Sequence, residues 1–313
     1  MKAKQSTMRW EGVLPAITTP FRADGQVDHE FLRRHARWLV DHGCTGVVAL
    51  GSLGESPTLR FEEKVAILRT VVDALKGRAA VVAGIGTLST AEAVELAREA
   101  ESIRCSGLMI LPPYVYAGDA REMLSHVESV LRSSGLSGML YNNPIAYRTD
   151  FLPEQIAQLA ERNPNLHAVK ESSGDVRRIT ALRALCGERL ALLVGVDDLI
   201  VEGVRAGAVG WIAGLANALP RESVALFELA RRGPESRLET LYQWFLPLLR
   251  LDTSNKFVQL IKLVQQETGT GSERVRPPRL PLAGAERKRA LELIRRCLAQ
   301  RPKDATACTR SRP

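Results

Sequence analysis

Lys170 is the residue whose type and position in the sequence point most directly to chemistry. It ends a short apolar run at 168–169, and it is one of nine lysines in a chain that carries 34 arginines. Arginine stays protonated at neutral pH, whereas a desolvated lysine can lose its proton and attack a carbonyl carbon. An ion pair of Lys170 with Glu171, or with a carboxylate across the fold, explains this position equally well. The residue types leave both interpretations open.

Tyr141 ends another apolar run, within Tyr-Asn-Asn-Pro at 141–144. A phenol placed near the Lys170 amine can move protons to and from the reacting group. The sequence alone favours a simpler explanation, a core tyrosine whose hydroxyl is satisfied by a neighbour.

The loop Gly-Ser-Leu-Gly-Glu-Ser at 51–56 follows a third apolar run. Its two glycines permit a tight turn whose backbone N–H groups can hold a carboxylate, and Ser52 can add a hydroxyl. The alternative is an ordinary turn between a strand and a helix, with Glu55 in a capping role. By the same reasoning, Asp197 and Asp198 can be acid–base or magnesium-binding carboxylates, but their position before Leu199 favours a helix cap.

Composition argues against several other classes of protein. The five cysteines and five histidines are scattered, without CxxC, HxH or HExxH, so we expect no metal site and no disulfide framework. Reduced thiols favour a cytoplasmic protein. The net charge of +8 is spread along the chain and aromatic residues make up only 5%, which argues against nucleic-acid binding. No run of about 18 apolar residues is present, so no membrane span is expected.

The elements that must position these residues follow a regular alternation of short apolar runs and amphipathic helical patterns. None of the runs alternates with polar residues, which is typical of parallel strands buried on both faces. The runs lie at 12–19, 46–50, 79–85, 107–111, 138–142, 167–170, 190–195 and 209–214. Eight strand–helix units predict an α/β fold, the closed (β/α)8 TIM barrel, with its active site at the carboxyl ends of the strands.

The pattern changes after residue 232, where helical patterns follow one another without strands. We predict a flexible N-terminal segment at 1–9, a catalytic barrel at 10–232, a C-terminal helical region at 233–300 and a disordered tail at 301–313. The C-terminal helical region includes a proline-rich connection at 275–282, which cannot be helical throughout.

Three motifs at the strand ends resemble the dihydrodipicolinate synthase / N-acetylneuraminate lyase family of Schiff-base barrels. They are Gly-Ser-Leu-Gly-Glu at 51–55, Tyr-Asn-Asn-Pro at 141–144 and Val-Lys-Glu-Ser-Ser-Gly-Asp at 169–175. The resemblance extends from about residue 10 to residue 300. It implies that Lys170 forms the Schiff base and that Tyr141 is the catalytic phenol. It further implies that Ser52 and the backbone N–H of Leu53 hold the substrate carboxylate.

The resemblance also carries weaker expectations. Tyr114 occupies the position of the family's interface tyrosine, and Gly195 and Ile212 are expected in the pocket wall. No metal or organic cofactor is expected, because the lysine itself serves as the electron sink. The expected assembly is a homotetramer built as a dimer of dimers, with a small cyclic imino acid or 2-oxo acid as substrate.

Two positions depart from the pattern of the synthases. Leu53 stands where a threonine normally joins a hydroxyl relay, and Ala146 stands where an arginine normally binds a carboxylate, with Arg148 two residues later. Both changes count against the lysine-biosynthetic reaction.

Further motifs resemble 1-pyrroline-4-hydroxy-2-carboxylate deaminases of hydroxyproline catabolism. These motifs lie at 142–147, 170–180, 195–199, 210–217 and 276–282. We therefore expect a hydrolytic deaminase in which Lys170 opens the cyclic imine at C2 and Tyr141 assists proton loss at C3, yielding 2,5-dioxopentanoate and ammonia. The alternatives are 4-hydroxy-tetrahydrodipicolinate synthase, another 2-oxo-acid aldolase or dehydratase of the family, and a non-catalytic regulator that keeps the barrel.

Overall fold

Eight parallel strands form a single sheet in the computed structural model, which describes residues 8–115 and 118–303. The strands are β1 (Gly12–Pro15), β2 (Gly46–Ala49), β3 (Ala80–Ile85), β4 (Gly107–Ile110), β5 (Ser137–Asn142), β6 (Leu166–Glu171), β7 (Ala191–Val194) and β8 (Gly210–Ala213). Each strand coincides with one of the eight apolar runs of the sequence. Almost every strand residue is buried, which explains why the runs do not alternate with polar residues.

The sheet closes on itself. Its strands follow the order β1-β8-β7-β6-β5-β4-β3-β2. The two ends meet through a parallel bridge between Ala16 and Val48 and a hydrogen bond from Thr45 N to Val13 O at 2.9 Å. The prediction of a (β/α)8 barrel with C-terminal helices is therefore confirmed.

Helices separate the strands and continue beyond the last one. They are α1 (His29–Asp41), α2 (Phe61–Leu75), α3 (Thr90–Ser102), α4 (Ala120–Arg132), α5 (Pro144–Tyr147), α6 (Pro153–Arg162), α7 (Arg177–Cys186), α8 (Ile200–Arg205), α9 (Pro220–Arg232), α10 (Glu235–Leu249), α11 (Phe257–Glu267) and α12 (Gly284–Ala299). Local capping explains several of their starts. Asp28 accepts a hydrogen bond from Phe31 N at 3.0 Å before α1, and Ser89 accepts one from Glu92 N at 3.2 Å before α3.

The helices after the barrel pack against its outer layer and against one another. Helix α10 contacts α9 and α12, and the indole of Trp244 donates a hydrogen bond to Cys297 O at 2.8 Å. Between α10 and α11 lies a 3₁₀ turn, Arg250–Thr253, which reaches the carboxyl end of the barrel. The division into a barrel and a C-terminal helical region remains a prediction. The flexible segment predicted at 1–9 and the disordered tail predicted at 301–313 lie mostly outside the described residues.

Two features of the described residues bear on function. No helix there is both long and apolar enough to cross a membrane. No group of three or more His, Cys, Asp or Glu side chains within the same residues is arranged to hold a metal ion.

Candidate active site

A cavity of about 510 Å³ opens at the carboxyl ends of the barrel strands. This is the end at which barrel enzymes carry their active sites. All seven residues predicted from the sequence line this cavity. They are Ser52, Leu53, Tyr114, Tyr141, Lys170, Gly195 and Ile212.

Lys170 and Tyr141 are neighbours across the β5–β6 pairing, where they occupy the same register position. The Lys170 Nζ atom lies 3.8 Å from the centroid of the Tyr141 ring, over its face. Both side chains are buried, with 6% of Lys170 and 5% of Tyr141 exposed. The strand pairing therefore brings together the two groups that the sequence singled out separately.

Burial is the main reason why the pKa of Lys170 falls to about 8, and the carboxyls of Asp252 and Asp197 partly oppose this shift. An ordinary lysine has a pKa near 10.5, so the unprotonated fraction at neutral pH rises by about two orders of magnitude. The amine is thus suited to nucleophilic attack.

The structure argues against the alternative in which Lys170 is a structural ion pair. Within the described residues no carboxylate lies at ion-pair distance from its Nζ. Glu171 is occupied elsewhere: its carboxylate accepts hydrogen bonds from Ser173 N at 2.7 Å and from Asn142 Nδ2 at 3.2 Å. Lys170 is therefore a buried amine that faces the cavity.

Gly195 makes room for the lysine. A Cβ atom at this position would lie only 2.5 Å from Lys170 Cε and would also overlap Ser172 Oγ. Any larger residue would displace the amine or the serine beside it. Gly195 thus contributes to the site through the space it leaves.

Three tyrosines line one side of the cavity. The ring of Tyr147 lies 5.7 Å from that of Tyr141 and 6.1 Å from that of Tyr114, measured between centroids. The Tyr147 hydroxyl is hydrogen-bonded to Ser52 Oγ, and the Tyr141 hydroxyl accepts a hydrogen bond from Asn143 Nδ2 at 3.0 Å. Burial raises the pKa of Tyr141 to about 12, so its phenol is a proton donor at neutral pH.

Tyr147 had no assigned role in the sequence, and its position has a local explanation. Asn143 caps the four-residue helix α5 by accepting a hydrogen bond from Ala146 N at 3.0 Å, and Pro144 begins the helix. One turn later the chain returns Tyr147 to the cavity. Asn-Pro before a short apolar stretch is a helix-start signal that could have placed this residue. Arg148, by contrast, is exposed and does not line the cavity.

The 51–56 loop is held by a buried ion pair, which argues against the alternative in which Glu55 has a capping role. Glu55 has a left-handed backbone, with φ of 57°, and its side chain makes no cap hydrogen bond. It pairs instead with Lys262 Nζ at 2.5 Å, and it accepts a hydrogen bond from Arg276 N at 3.0 Å. Lys262 also donates to Thr19 O at 2.8 Å. The C-terminal helical region therefore fixes the loop that carries Ser52.

Asp197 does not cap the helix that follows Leu199, contrary to the prediction. It is fully buried and accepts hydrogen bonds from Trp211 Nε1 at 3.0 Å, Gly214 N at 3.0 Å and Leu215 N at 2.7 Å. Its carboxylate thus orders the turn after β8. The neighbouring Asp198 pairs with Arg250 at 3.6 Å.

Two further residues of the cavity were not anticipated. Asp252, from the 3₁₀ turn after α10, contributes a carboxyl group, and Arg279, from the segment before α12, contributes a positive charge. Both come from the C-terminal helical region. Neither carries a local sequence signal, because only the folded chain brings these turns to the barrel.

Comparisons with known proteins agree with this geometry. A family profile described as "Dihydrodipicolinate synthetase family" matches residues 9–296. The chain belongs to the dihydrodipicolinate synthetase family. It is 36% identical to the 4-hydroxy-tetrahydrodipicolinate synthase of Moorella thermoacetica over 283 residues, which cover 90% of this chain and 95% of that protein. Members of the family are class I aldolase or lyase-type enzymes, so the prediction of a Schiff-base lyase family is confirmed.

Solved structures of the dihydrodipicolinate synthetase family share the fold. The 4-hydroxy-tetrahydrodipicolinate synthase from Methylacidiphilum fumariolicum SolV superimposes with a TM-score of 0.87 at 30% identity, covering 93% of this chain and 98% of that one. A prophage protein of the same family from E. coli K12, solved in complex with pyruvate, gives a TM-score of 0.86 at 27% identity, covering 92% and 98%.

The prediction of a hydroxyproline-pathway deaminase is wrong. Relatives that are 36%, 32% and 31% identical over about nine-tenths of the chain are all named 4-hydroxy-tetrahydrodipicolinate synthase. The deaminase prediction rested on short motifs in and around the loops, and loop sequences vary more freely than the scaffold that these relatives match. The comparisons favour the first of the alternatives named above.

Proposed function

We propose that this protein is a class I aldolase that binds pyruvate as a Schiff base on Lys170 and condenses it with an aldehyde, in the manner of 4-hydroxy-tetrahydrodipicolinate synthase. The observation that carries the proposal is a buried, cavity-facing lysine whose pKa is lowered to about 8, in a chain whose relatives carry that name. The neutral amine attacks the C2 carbonyl carbon of pyruvate, and loss of water gives the protonated Schiff base.

The pyruvate carboxylate is held by the loop at 51–56. Ser52 Oγ and the backbone N–H groups next to it supply donors, and Tyr147 bonds to the same serine hydroxyl. The buried pair of Glu55 and Lys262 keeps this loop in place. The carboxylate is thereby bound by donors that the fold holds in place.

Tyr141 is the proton donor to the C2 oxygen. Its ring lies against Lys170, and a phenol whose pKa is about 12 remains protonated at neutral pH. It can therefore assist departure of the C2 oxygen as water. Leu53 has no hydroxyl, so it cannot relay a proton to Tyr141 as a threonine would. The Tyr141 hydroxyl is instead hydrogen-bonded to Asn143 and faces the cavity.

The second substrate is an amino acid aldehyde of four carbons. The product in the relatives' name has seven carbons, five in a nitrogen-containing ring and two in carboxylates, and pyruvate supplies three of those carbons. Ala146 offers no charge for the aldehyde's carboxylate. Arg279 lines the same cavity and forms no ion pair within the described residues, so it supplies the cation in our proposal. The homotetramer and the cytoplasmic location stay predictions.

The proposed function is tested by turnover with both substrates. Purified protein should consume pyruvate only when the four-carbon amino acid aldehyde is present, and the cyclic product should be found by mass spectrometry. A second panel of unsubstituted aldehydes of three to five carbons serves as the specificity control. Pyruvate consumption that does not depend on any aldehyde would refute the proposal.

A further inference from the structure

Asp252 is the one ionisable group of the cavity wall contributed by the 3₁₀ turn after α10, and the mechanism above does not use it. It is half-buried and lines the cavity together with Lys170 and Tyr141. Neighbouring side chains of this turn bond to the backbone: Thr253 Oγ1 donates to Arg250 O at 2.9 Å, and Ser254 Oγ accepts from Lys256 N at 3.2 Å. Within the described chain, the carboxyl of Asp252 has no hydrogen bond and no ion pair.

A carboxyl group without partners in a largely apolar wall does not stabilise the fold, so its presence calls for a functional explanation. The fold nevertheless makes room for it. A Cβ atom at Gly214 would overlap Asp252 Oδ1 and would lie 3.3 Å from Asp197 Oδ2. Glycine at 214 therefore leaves room for both carboxyl groups beside it.

The two carboxyl groups have different surroundings. Asp197 accepts hydrogen bonds from the side chain of Trp211 and from two backbone N–H groups, which favour its ionised form. Two adjacent carboxylates cannot both ionise at low cost, so Asp252 is the one that retains its proton. Burial, and then the charge of Asp197, raise the pKa of Asp252 well above its usual value; Lys170 opposes this effect, and Asp198 adds to it.

We propose that Asp252 is the acid–base group that carries the C3 proton of the lysine-bound 2-oxo acid to the oxygen of the aldehyde. The inference rests on the proposed function, since it requires the Schiff base on Lys170. Asp252 faces the cavity beside Lys170, while Tyr141 lies against the lysine in the neighbouring strand. The site thus has one proton-transfer group for the C2 oxygen and another for C3.

Asp252 loses and regains a proton twice in each turn of the proposed cycle. When Lys170 becomes a protonated Schiff base, it holds a positive charge beside Asp252, and the carboxyl releases its proton to water in the cavity. The carboxylate then removes a proton from C3, and the electron pair of that C–H bond forms the enamine. The enamine carbon bonds to the aldehyde carbon, the carbonyl π bond breaks, and the oxygen takes the proton from Asp252. Hydrolysis frees the amine, and the carboxylate regains a proton from water.

The experiment follows hydrogen exchange at C3 with pyruvate alone. In D₂O the wild-type protein should replace the methyl hydrogens of pyruvate by deuterium, which proton NMR measures. For Asp252→Asn we expect the exchange rate to fall about 100-fold or more, while borohydride still traps pyruvate on Lys170. Asp41→Asn, a change at an exposed carboxyl that pairs with Arg78 at 2.6 Å, is the matched control and should exchange at the wild-type rate.

Asp252→Glu keeps the acid, and we expect it to recover part of the exchange that Asn loses. Wild-type exchange in Asp252→Asn would overturn the role of Asp252 and leave the Schiff base untouched. Loss of the borohydride adduct in a folded Asp252→Asn would also overturn it, since the carboxyl would then act before the enamine forms. Absence of the adduct in the wild type would instead refute the proposed function, and this inference with it.

Discussion

The strand ends of the barrel and the C-terminal helical region contribute different things to the same cavity. The strands supply Lys170, which forms the Schiff base in our proposal, and Tyr141, its proposed proton donor, and the β5–β6 pairing sets their separation. The C-terminal helical region supplies Asp252, Arg279 and, through Lys262, the anchor of the 51–56 loop. The comparison suggests that the helices after the barrel complete the site and do not merely cover the outside of the barrel.

The largest expected effect lies on the strand side. Lys170→Arg retains a positive charge but cannot become a neutral nucleophile, so we expect turnover of pyruvate and aldehyde to be abolished. Thermal unfolding should change little, because Lys170 forms no ion pair in the described chain. Lys256→Arg, an exposed site, is the control. Substantial activity in Lys170→Arg would mean that the barrel strands do not carry the chemistry.

The next prediction tests whether the C-terminal helical region anchors the 51–56 loop or only covers the outside of the barrel. Lys262→Met leaves the buried carboxylate of Glu55 without its cation, and we expect the free energy of unfolding to fall by about 3–5 kcal/mol. KM for pyruvate should also rise, because the 51–56 loop loses its anchor. Pyruvate saturation curves and urea unfolding measure the two effects.

Lys256 offers a matched control for this variant. It pairs with Glu286 at 2.5 Å, the same separation as in the pair of Lys262 and Glu55, but its side chain is 50% exposed, compared with 2% for Lys262. Lys256→Met should therefore cost less than about 1 kcal/mol and leave KM unchanged. Equal losses of stability and equal changes in KM in the two variants would mean that the buried pair of Lys262 and Glu55 anchors the loop no better than an exposed ion pair does.

Tyr141→Phe tests the second group on the strand side. We expect kcat to fall about 100-fold or more, because the proton donor to the C2 oxygen is lost. Tyr147→Phe removes a hydroxyl that bonds to Ser52 and should act mainly on KM for pyruvate. Steady-state kinetics with both substrates distinguish the two. A larger loss of kcat in Tyr147→Phe than in Tyr141→Phe would mean that Tyr147, and not Tyr141, is the proton donor.

The smallest expected effect concerns Arg279, which the C-terminal helical region contributes to the cavity wall. Arg279→Ala should raise KM for the amino acid aldehyde about fivefold, the size of a solvent-exposed charge interaction of about 1 kcal/mol. KM for pyruvate should stay unchanged. A uniform change in both KM values would show that Arg279 acts on the shape of the cavity and not on the second substrate.

The sequence predicted the strand side well because its signals are local. Lys170 and Tyr141 each end a buried run, and parallel strands end at the same edge of a barrel, so their proximity follows from the fold class. Asp252 and Lys262 could not be placed in this way. Their roles depend on how α10 and α11 pack against the barrel, and no local pattern encodes that packing. The same limit explains why the sequence favours a helix cap for Asp197 and offers one as the alternative for Glu55.

Borohydride trapping of pyruvate on Lys170, followed by mass spectrometry across a range of pH, tests the central claim most directly. The pKa of Lys170 is lowered to about 8 and the neutral amine is the reactive form. The account therefore predicts a reduced adduct on Lys170 whose initial rate of formation rises about tenfold per pH unit below 8 and levels off above it. No adduct on a folded protein, or an adduct on another lysine, would contradict the account.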